Sequence, residues 1–377
     1  MQLTLKGVSE LIRYDQKLSA EMQADHTSIL NGSGVSVQVK KIPDEPRKGH
    51  YDPREYTLCK AQADFFAKSA SGPRKPFTIE DVRKAMGFPN LNMNTVEIYT
   101  KYEEHVFSGN TVGIWIYYPR KPEGKTGRPG FIYIHGGGWV GGTPYTVENP
   151  CRLLAERADC VVFNIDYSLA PEKPYPNAFN DCFGALRYIY EHAEHYGVDR
   201  SRLGMGGDSA GGNLTAAIAL KDRDTGSNML KYQALIYPAV TLADEGAPGY
   251  HWDINEFEMC DEQRALIEPG LQLGRPKQDG QVSDNMYLKH GEDPHDPYIS
   301  PMFAKSHQGL CKALIAVAEF DGLRLQGEYY GKMLRDASVE TRIIRYKGVG
   351  HAFLDKLGFL PQAEDLVQEM ANDIIKL

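Results

Sequence analysis

A serine between small residues is the clearest candidate for chemistry in this chain. The segment Gly207-Asp208-Ser209-Ala210-Gly211 has the pattern G-x-S-x-G, follows the apolar stretch Leu203–Met205, and precedes an Ala- and Leu-rich helical segment. Strand, sharp turn and helix are the setting in which this pattern exposes a serine nucleophile above the end of a sheet. A tight glycine-rich turn around an ordinary serine would look the same locally, so the other motifs have to decide.

An acid and a base for Ser209 are expected downstream, because this strand–turn–helix setting favours the chain order nucleophile, acid, base. Asp321 and His351 follow two successive predicted strands. Asp321 would fix the tautomer of the imidazole and stabilise its cation, and His351 would accept the Ser209 proton and return it to the leaving alcohol. Asp321 could also cap the following helix. Glu319 is the competing acid, although it lies nearer the strand.

Three consecutive glycines suggest backbone donors for an oxyanion. His135-Gly136-Gly137-Gly138-Trp139 follows a short apolar strand, and attack of a serine on an ester creates an oxyanion that needs preorganised N–H donors. The amides of Gly137, Gly138 and Ala210 form the predicted set, and the alternative is an ordinary glycine-rich loop. His135 is not expected to be the base, because a histidine at this kind of strand end more often holds the loop in place.

Side chains that would contact the substrate are predicted from their closeness to these motifs. The substrate-binding candidates are Trp139, Asp208 and Tyr237, and further aromatic candidates for the pocket walls are Trp252, Phe257 and Tyr287. Aromatic residues at such positions are as often plain core. Of the remaining histidines, His192 and His195 fall in a predicted surface helix, and His290, His295 and His307 fall in polar loops. No cluster in the sequence has metal-ligand spacing, so we predict no metal and no cofactor.

Composition limits the classes of partner. The chain has 377 residues, 42% of them hydrophobic, a net charge of −8 and a pI near 5.8, which argues against nucleic acid or an anionic membrane and fits a small neutral substrate. No signal peptide and no apolar run long enough for a membrane span is visible. Six scattered cysteines indicate reduced thiols and a cytoplasmic protein. The oligomeric state stays open, a homodimer included.

Alternating strands and helices predict an α/β fold with a mostly parallel sheet. A hairpin through Ser108-Gly109-Asn110 provides an antiparallel start. The predicted strands are Val96–Phe107, Thr111–Tyr118, Phe131–His135, Val161–Tyr167, the segment before Ser209, Tyr232–Tyr237, Leu314–Ala318 and Thr341–Tyr346. The predicted helices that connect them lie near 149–158, 178–196, 325–337 and 362–375.

The chain divides into a catalytic domain and two accessory segments. Residues 1–95 are expected to be helical and irregular rather than strand-rich, and to form part of a cap; the alternative is an extension on the side or back of the domain. Within them, Thr78 and Asp81 predict a capped helix that ends at Gly87, with Phe77 and Val82 at staple positions. Residues 96–377 form the catalytic domain. Residues 241–300 interrupt the alternation of strands and helices in this domain and are predicted to be a second cap or active-site insertion.

Six motifs together resemble the hormone-sensitive lipase-like family of bacterial esterases, which are α/β hydrolases. In chain order they are His135-Gly-Gly-Gly-Trp139, Asp166-Tyr-Ser-Leu-Ala-Pro-Glu172, Gly207-Asp-Ser-Ala-Gly-Gly212, Ile299-Ser-Pro301, Asp321-Gly-Leu-Arg324 and His351-Ala-Phe353. The resemblance implies an eight-stranded sheet with flanking helices, a helical cap, a Ser209–Asp321–His351 triad and hydrolysis of short- to medium-chain esters, acetyl esters among them. Gly322 stands where the family usually has proline, and Ala352 where glycine is common.

A serine carboxylesterase that works through an acyl-enzyme is therefore the leading functional prediction. An amidase or peptidase of the same fold is the first alternative, but a recognition domain built from propeller-like repeats is not visible in the sequence. A non-catalytic receptor for a small ligand is the second alternative. Plant hormone receptors resemble this family but lack a working triad histidine, whereas His351 is present here.

Overall fold

A ten-stranded sheet runs through the part of the chain that the computed structural model describes, which is residues 14–69, 78–121, 127–244, 246–275 and 286–377. Its strands are β1 (Ser28–Leu30), β2 (Ser36–Lys40), β3 (Tyr99–Phe107), β4 (Asn110–Tyr118), β5 (Arg128–Ile134), β6 (Val161–Asp166), β7 (Val198–Asp208), β8 (Tyr232–Ile236), β9 (Lys312–Phe320) and β10 (Thr341–Gly350). Their order in the sheet is β1-β2-β10-β9-β8-β7-β5-β6-β4-β3.

Helices cover both faces of this sheet. The described α-helices are α1 (Gln16–Ala24), α2 (Pro53–Ser69), α3 (Ile79–Ala85), α4 (Glu148–Ala158), α5 (Asn177–Glu191), α6 (Ala210–Asp224), α7 (Arg264–Ile267), α8 (Arg324–Asp336) and α9 (Pro361–Ile374). One apolar core joins the sheet to α5, α6 and α8, and a second core joins the opposite face to α1, α4 and α9. In the described residues, no helix has the length and apolar character needed to cross a membrane.

The centre of the sheet is parallel, as the alternating strands and helices predict. The strands from β2 through β10, β9, β8, β7 and β5 to β6 pair in parallel, while β4 pairs antiparallel with β6 and with β3. Strands β5 and β8 are buried along their whole length, which explains why apolar residues predominate in both. The predicted hairpin closes where Phe107 pairs with Asn110. The predicted α/β fold with a mostly parallel sheet is confirmed.

The described part of residues 1–95 has more helix than strand, as expected, but two short strands from it join the sheet, so the implied count of eight strands is wrong. Strand β2 pairs in parallel with β10, with Gln38 opposite Ile344, and β1 pairs antiparallel with β2. The pattern of β2 alternates for only five residues, with Val37 and Val39 buried, between segments rich in glycine and proline. So short an alternation predicts little by itself, and the pairing with β10 stabilises the strand.

The predicted helix start at Thr78 is confirmed. Thr78 and Asp81 form a reciprocal capping box at the first turn of α3, in which each side chain accepts a hydrogen bond from the other residue's backbone N–H. The predicted staple residue Phe77 lies outside the described residues.

The described part of residues 241–300 contains short helical turns, as expected for so long a segment. They are α7 and two 3-10 turns at Ile254–Glu256 and Glu268–Gln272. These turns pack on the N-terminal segment in one apolar cluster whose buried members are Tyr51, Phe257, Ile267, Leu271 and Phe320. Because Phe320 is the last residue of β9, this cluster lies beside the carboxyl end of that strand.

Candidate active site

Ser209 occupies a strained turn between β7 and α6. Its φ and ψ are 54° and −113°, in a region that residues with a Cβ rarely adopt. A Cβ atom on Gly207 would lie 2.3 Å from the carbonyl oxygen of Ile134, and one on Gly211 would lie 1.9 Å from the same atom. Glycine is therefore required on both sides of Ser209, because the turn passes so close to β5.

Ser209, His351 and Asp321 form a continuous chain of hydrogen bonds. The Nε2 of His351 lies 2.9 Å from the Ser209 Oγ, and its Nδ1 lies 2.7 Å from the Oδ2 of Asp321. Since Nδ1–H donates to the buried carboxylate, Nε2 is free to accept the serine hydroxyl proton. The other oxygen of Asp321 accepts the Leu323 N–H at 2.9 Å, so the same carboxylate also supports the turn before α8.

The electrostatic setting of His351 favours its cation. Burial disfavours the charged imidazolium, but the Asp321 carboxylate outweighs this effect through its charge and its hydrogen bond, so the pKa of His351 is raised. A base with a raised pKa accepts a proton more readily from the attacking hydroxyl.

Glu319, the competing acid, is engaged elsewhere. Its carboxylate forms an ion pair with Lys347 and accepts the Gly348 N–H at 2.8 Å, so it joins the end of β9 to β10. Only Asp321 of the two acids is hydrogen-bonded to His351.

The glycine loop after β5 presents backbone donors. Gly137 and Gly138 have φ values of 122° and 61°, and a Cβ on Gly137 would lie 2.1 Å from the carbonyl oxygen of Gly141. Within the described part of the chain, neither amide has a hydrogen-bond acceptor. Ala210 is the first residue of α6, where helix N–H groups have no partner within the helix. These three amides are therefore available to an incoming oxygen atom.

Asp208, which the sequence suggests as a substrate contact, supports this glycine loop through hydrogen bonds. One carboxylate oxygen accepts the Gly136 N–H at 3.0 Å and the Tyr133 hydroxyl at 3.1 Å, and the side chain is buried. Burial raises the pKa of Asp208 to about 6. Its hydrogen bonds join β5 and the start of the glycine loop to the end of β7.

His135 also supports the loop. Its Nδ1 donates to the Gly136 carbonyl at 2.8 Å, and its ring stacks on Tyr167 with centroids 4.4 Å apart. Burial lowers the pKa of His135 to about 4, so the ring is neutral near pH 7. These contacts agree with the expectation that His135 holds the loop in place.

The aromatic candidates fall into three groups. Trp139 stacks on Tyr287, with centroids 4.7 Å apart and ring planes 9° from parallel. Tyr237 is buried, and its ring packs on the imidazole of His351 with centroids 4.8 Å apart. Trp252 and Phe257 lie in the apolar cluster around Tyr51, where the Trp252 indole N–H donates to the Gly322 carbonyl.

Two supporting residues carry no signal in the sequence. Glu55, in the first turn of α2, accepts the Gly350 N–H at 3.4 Å and pairs with Lys356, so it contacts both sides of the His351 loop. Arg83 of α3 donates to the carbonyl oxygens of Val140 at 2.6 Å and Ala170 at 2.9 Å, beside the glycine loop. Neither contact belongs to a local pattern, because the partners are distant in sequence.

Known proteins share this fold and the region that holds the site. A family model described as an alpha/beta hydrolase fold matches residues 131–355. The carboxylic ester hydrolase LipN of Mycobacterium tuberculosis is 38% identical over 242 residues, which are 62% of this chain and 60% of LipN. An arylesterase of Saccharolobus solfataricus is 33% identical over 263 residues, or 70% of this chain and 79% of that protein.

Solved structures agree with the sequence relatives. A hyperthermophilic esterase from the archaeon Pyrobaculum calidifontis superposes with a TM-score of 0.68 at 28% identity, over 87% of this chain and 98% of its own. The fold and the matches define an α/β hydrolase. Within that class, the chain belongs to the hormone-sensitive lipase-like family, whose relatives named above are ester hydrolases.

Proposed function

We propose that this protein hydrolyses carboxylic esters of short- to medium-chain acids through an acyl-enzyme, with Ser209 as the nucleophile. The observation that carries the proposal is the hydrogen-bond chain from Asp321 through His351 to the Ser209 Oγ. LipN and the arylesterase, two relatives of this chain that are named as ester hydrolases, support the same chemistry.

Each proposed step assigns a bond and a proton to a named atom. Ser209 Oγ attacks the ester carbonyl while its proton moves to the Nε2 of His351, and Asp321 stabilises the imidazolium. The amides of Gly137, Gly138 and Ala210 stabilise the oxyanion. The intermediate collapses to the acyl-enzyme as the alcohol takes the proton from His351. Water then attacks the acyl-enzyme in the same way: His351 accepts its proton and returns it to the Ser209 Oγ as the carboxylic acid leaves.

We assign the cap to residues 1–95 and 241–300. The support for this assignment is the apolar cluster in which Tyr51 of the first segment packs with Phe257 and Ile267 of the second, beside Phe320 at the end of β9. Arg83 gives independent support, because it attaches α3 to the loop that follows the glycines. A cover at the carboxyl ends of the strands lies where open α/β sheets bind ligands.

We assign one wall of the substrate pocket to Trp139. Trp139 follows Gly138 directly in the chain, and its ring stacks flat against that of Tyr287. This stack restricts the rotation of both rings. A rigid wall next to the oxyanion donors limits the space for the acyl or the alcohol group.

A small neutral ester also agrees with the net charge of −8. The free state of all six cysteines favours the cytoplasm.

Hydrolysis of p-nitrophenyl esters from acetate to laurate tests the proposal. We expect kcat/KM to be highest at short to medium acyl chains, and Ser209→Ala to reduce turnover on the order of 10⁵-fold or more. Circular dichroism and the Tm of this variant should match those of the wild type. Labelling of Ser209 by an organophosphate, located by mass spectrometry, provides a substrate-independent readout. A Ser209→Ala variant with wild-type activity would refute the nucleophile.

A further inference from the structure

A cluster of metal-ligating side chains lies where the N-terminal segment meets the 241–300 insertion. His50, Cys260 and Glu262 each offer a ligand atom, and these atoms lie within 4.8 Å of one another. Among the described residues, this is the one such group of three or more. None of its members belongs to the site proposed for ester hydrolysis.

His50 is oriented as a metal-binding histidine would be. Its Nδ1 lies 2.8 Å from the carbonyl oxygen of Lys48, so Nδ1–H donates there and the lone pair on Nε2 is left free. Ligating histidines commonly donate their second ring N–H to a carbonyl or carboxylate, which fixes both the tautomer and the ring orientation.

Backbone contacts hold the two ligand-bearing segments together. The Cys260 N–H donates to the Gly49 carbonyl at 2.9 Å, and the Tyr51 N–H donates to the Gln263 side chain at 2.8 Å. The segments approach so closely that a Cβ on Gly49, whose φ is +70°, would lie 2.8 Å from the Cys260 nitrogen. His50 and Cys260 are therefore brought together by the fold and not by flexible side chains alone.

The surroundings leave room for an ion and water. His50 and Glu262 line an open cavity of about 450 Å³ that also includes Glu45 and Arg47. The Arg47 guanidinium is paired with Glu45, with Arg47 Nε 2.8 Å from the carboxylate, so its positive charge is largely compensated. Glu262 is exposed and can turn toward a cation in the cavity.

We propose that His50, Cys260 and Glu262 bind one Zn²⁺ ion, with water as the fourth ligand. A thiolate, an imidazole and a carboxylate suit Zn²⁺, whereas Mg²⁺ and Ca²⁺ prefer oxygen ligands alone. With Zn–ligand bonds of about 2.0–2.3 Å, tetrahedral ligand atoms stand roughly 3.3–3.8 Å apart, so the cluster closes by about 1 Å on binding. Binding releases the Cys260 thiol proton to solvent as the Zn–S bond forms.

Such an ion would join the N-terminal segment to the insertion. His50 stands two residues before Asp52, whose N–H donates to the Gly348 carbonyl at 2.8 Å in the strand that leads to His351. Zn²⁺ would therefore stabilise the contact between both proposed cap segments and the strand that carries the proposed base. The site goes beyond the proposed esterase function, and its test does not depend on turnover.

The test measures Zn²⁺ binding to the full-length protein by competition with a chromogenic chelator. We expect one Zn²⁺ per chain. Cys260→Ser and His50→Gln should each weaken binding about 100-fold, and Glu262→Gln about tenfold. Cys311→Ser and His290→Gln serve as controls for a cysteine and a histidine outside the cluster, and both should bind as the wild type does. Circular dichroism checks that each variant is folded.

Cobalt substitution gives a second readout. Co²⁺ bound at the cluster should show a thiolate-to-cobalt charge-transfer band that is absent in Cys260→Ser. The proposal fails if stoichiometric Zn²⁺ binding persists in both Cys260→Ser and His50→Gln, or if the wild type binds no Zn²⁺ below millimolar concentrations. Ser209→Ala should bind Zn²⁺ like the wild type, so a failure of the metal site and a failure of the esterase proposal are distinguishable.

Discussion

Glu319 and Asp321 stand two residues apart at the end of β9, yet their carboxylates have different partners. Glu319 pairs with Lys347 and accepts the Gly348 N–H, both on the neighbouring strand β10. Asp321, just beyond the strand, accepts a hydrogen bond from His351 Nδ1 at 2.7 Å. The end of the strand thus separates an acid that joins two strands from an acid that orients the imidazole.

Neutralising the two acids should affect different properties, namely turnover for Asp321 and stability for Glu319. We expect Asp321→Asn to lower kcat by about 10⁴-fold, as in the serine protease triad, because the amide no longer favours the correct tautomer. Glu319→Gln should leave kcat within a fewfold of the wild type but lower the free energy of unfolding by about 1–3 kcal/mol, since Lys347 loses its charged partner. Ester kinetics and urea denaturation of both variants measure these effects. A large loss of kcat in Glu319→Gln would identify it as the acid.

The raised pKa of His351 predicts the acid limb of the pH profile. Neutral imidazole is the active form, so kcat/KM should fall as pH decreases through the pKa of His351, with a midpoint above pH 6.5. In Asp321→Asn, the interaction that raises the pKa is lost while burial remains, so the midpoint of the residual activity should move to lower pH. Identical midpoints in the two proteins would contradict the assignment of His351 and Asp321.

Gly211 should tolerate no side chain, although it lies in a helix. Alanine favours helices over glycine by about 1 kcal/mol, but its Cβ here would lie 1.9 Å from the Ile134 carbonyl oxygen. We expect Gly211→Ala to lower the free energy of unfolding by about 3 kcal/mol or more, because the backbone of β5 or α6 must move to make room for the new Cβ. Gly270→Ala is the control: its Cβ would lie 3.6 Å from the nearest atom, so the change should stay within about 0.5 kcal/mol. Equal stability of the two variants in urea would refute this explanation.

Arg83 should affect turnover from outside the triad. Its guanidinium donates to two carbonyl groups, those of Val140 and Ala170, and lysine cannot reproduce this fork. We expect Arg83→Lys to lower kcat about tenfold, because a displaced glycine loop misplaces the oxyanion donors. The neighbouring Lys84→Ala should have no effect, since Lys84 is exposed and lies 3.9 Å from Glu80. Wild-type kcat in Arg83→Lys would separate α3 from catalysis.

The parts of this protein that sequence predicts best are those set by local packing. The turn at Ser209 requires glycine on both sides, and buried parallel strands such as β8 require mostly apolar residues, so both are visible as short patterns. Asp321 and His351 each follow a strand in the predicted order, and their side chains are hydrogen-bonded to each other.

The parts that sequence predicts poorly depend on partners far away in the chain. Strand β2 is stabilised by β10, and the side chains of Glu55 and Arg83 support loops that lie in other segments. Asp208 looks like a residue of the pocket because it precedes the serine, but its burial against Tyr133 becomes visible only once β5 and β7 are adjacent. The same applies to His50, Cys260 and Glu262, which have no common spacing motif. The sequence therefore predicts no metal, whereas the proposal of a Zn²⁺ site rests on the closeness of these side chains in the fold.

The parallel pairing of β2 with β10 also affects how the protein is made. Gln38 pairs with Ile344, so β2 leaves the ribosome about 300 residues before its partner exists. At roughly 5–20 residues per second, this interval lasts about 15 to 60 s. Throughout that time β2 lacks the strand with which it pairs, and His351, which directly follows β10, has not yet been made. Activity should therefore appear only after the chain has been synthesised past His351, long after β2 is complete.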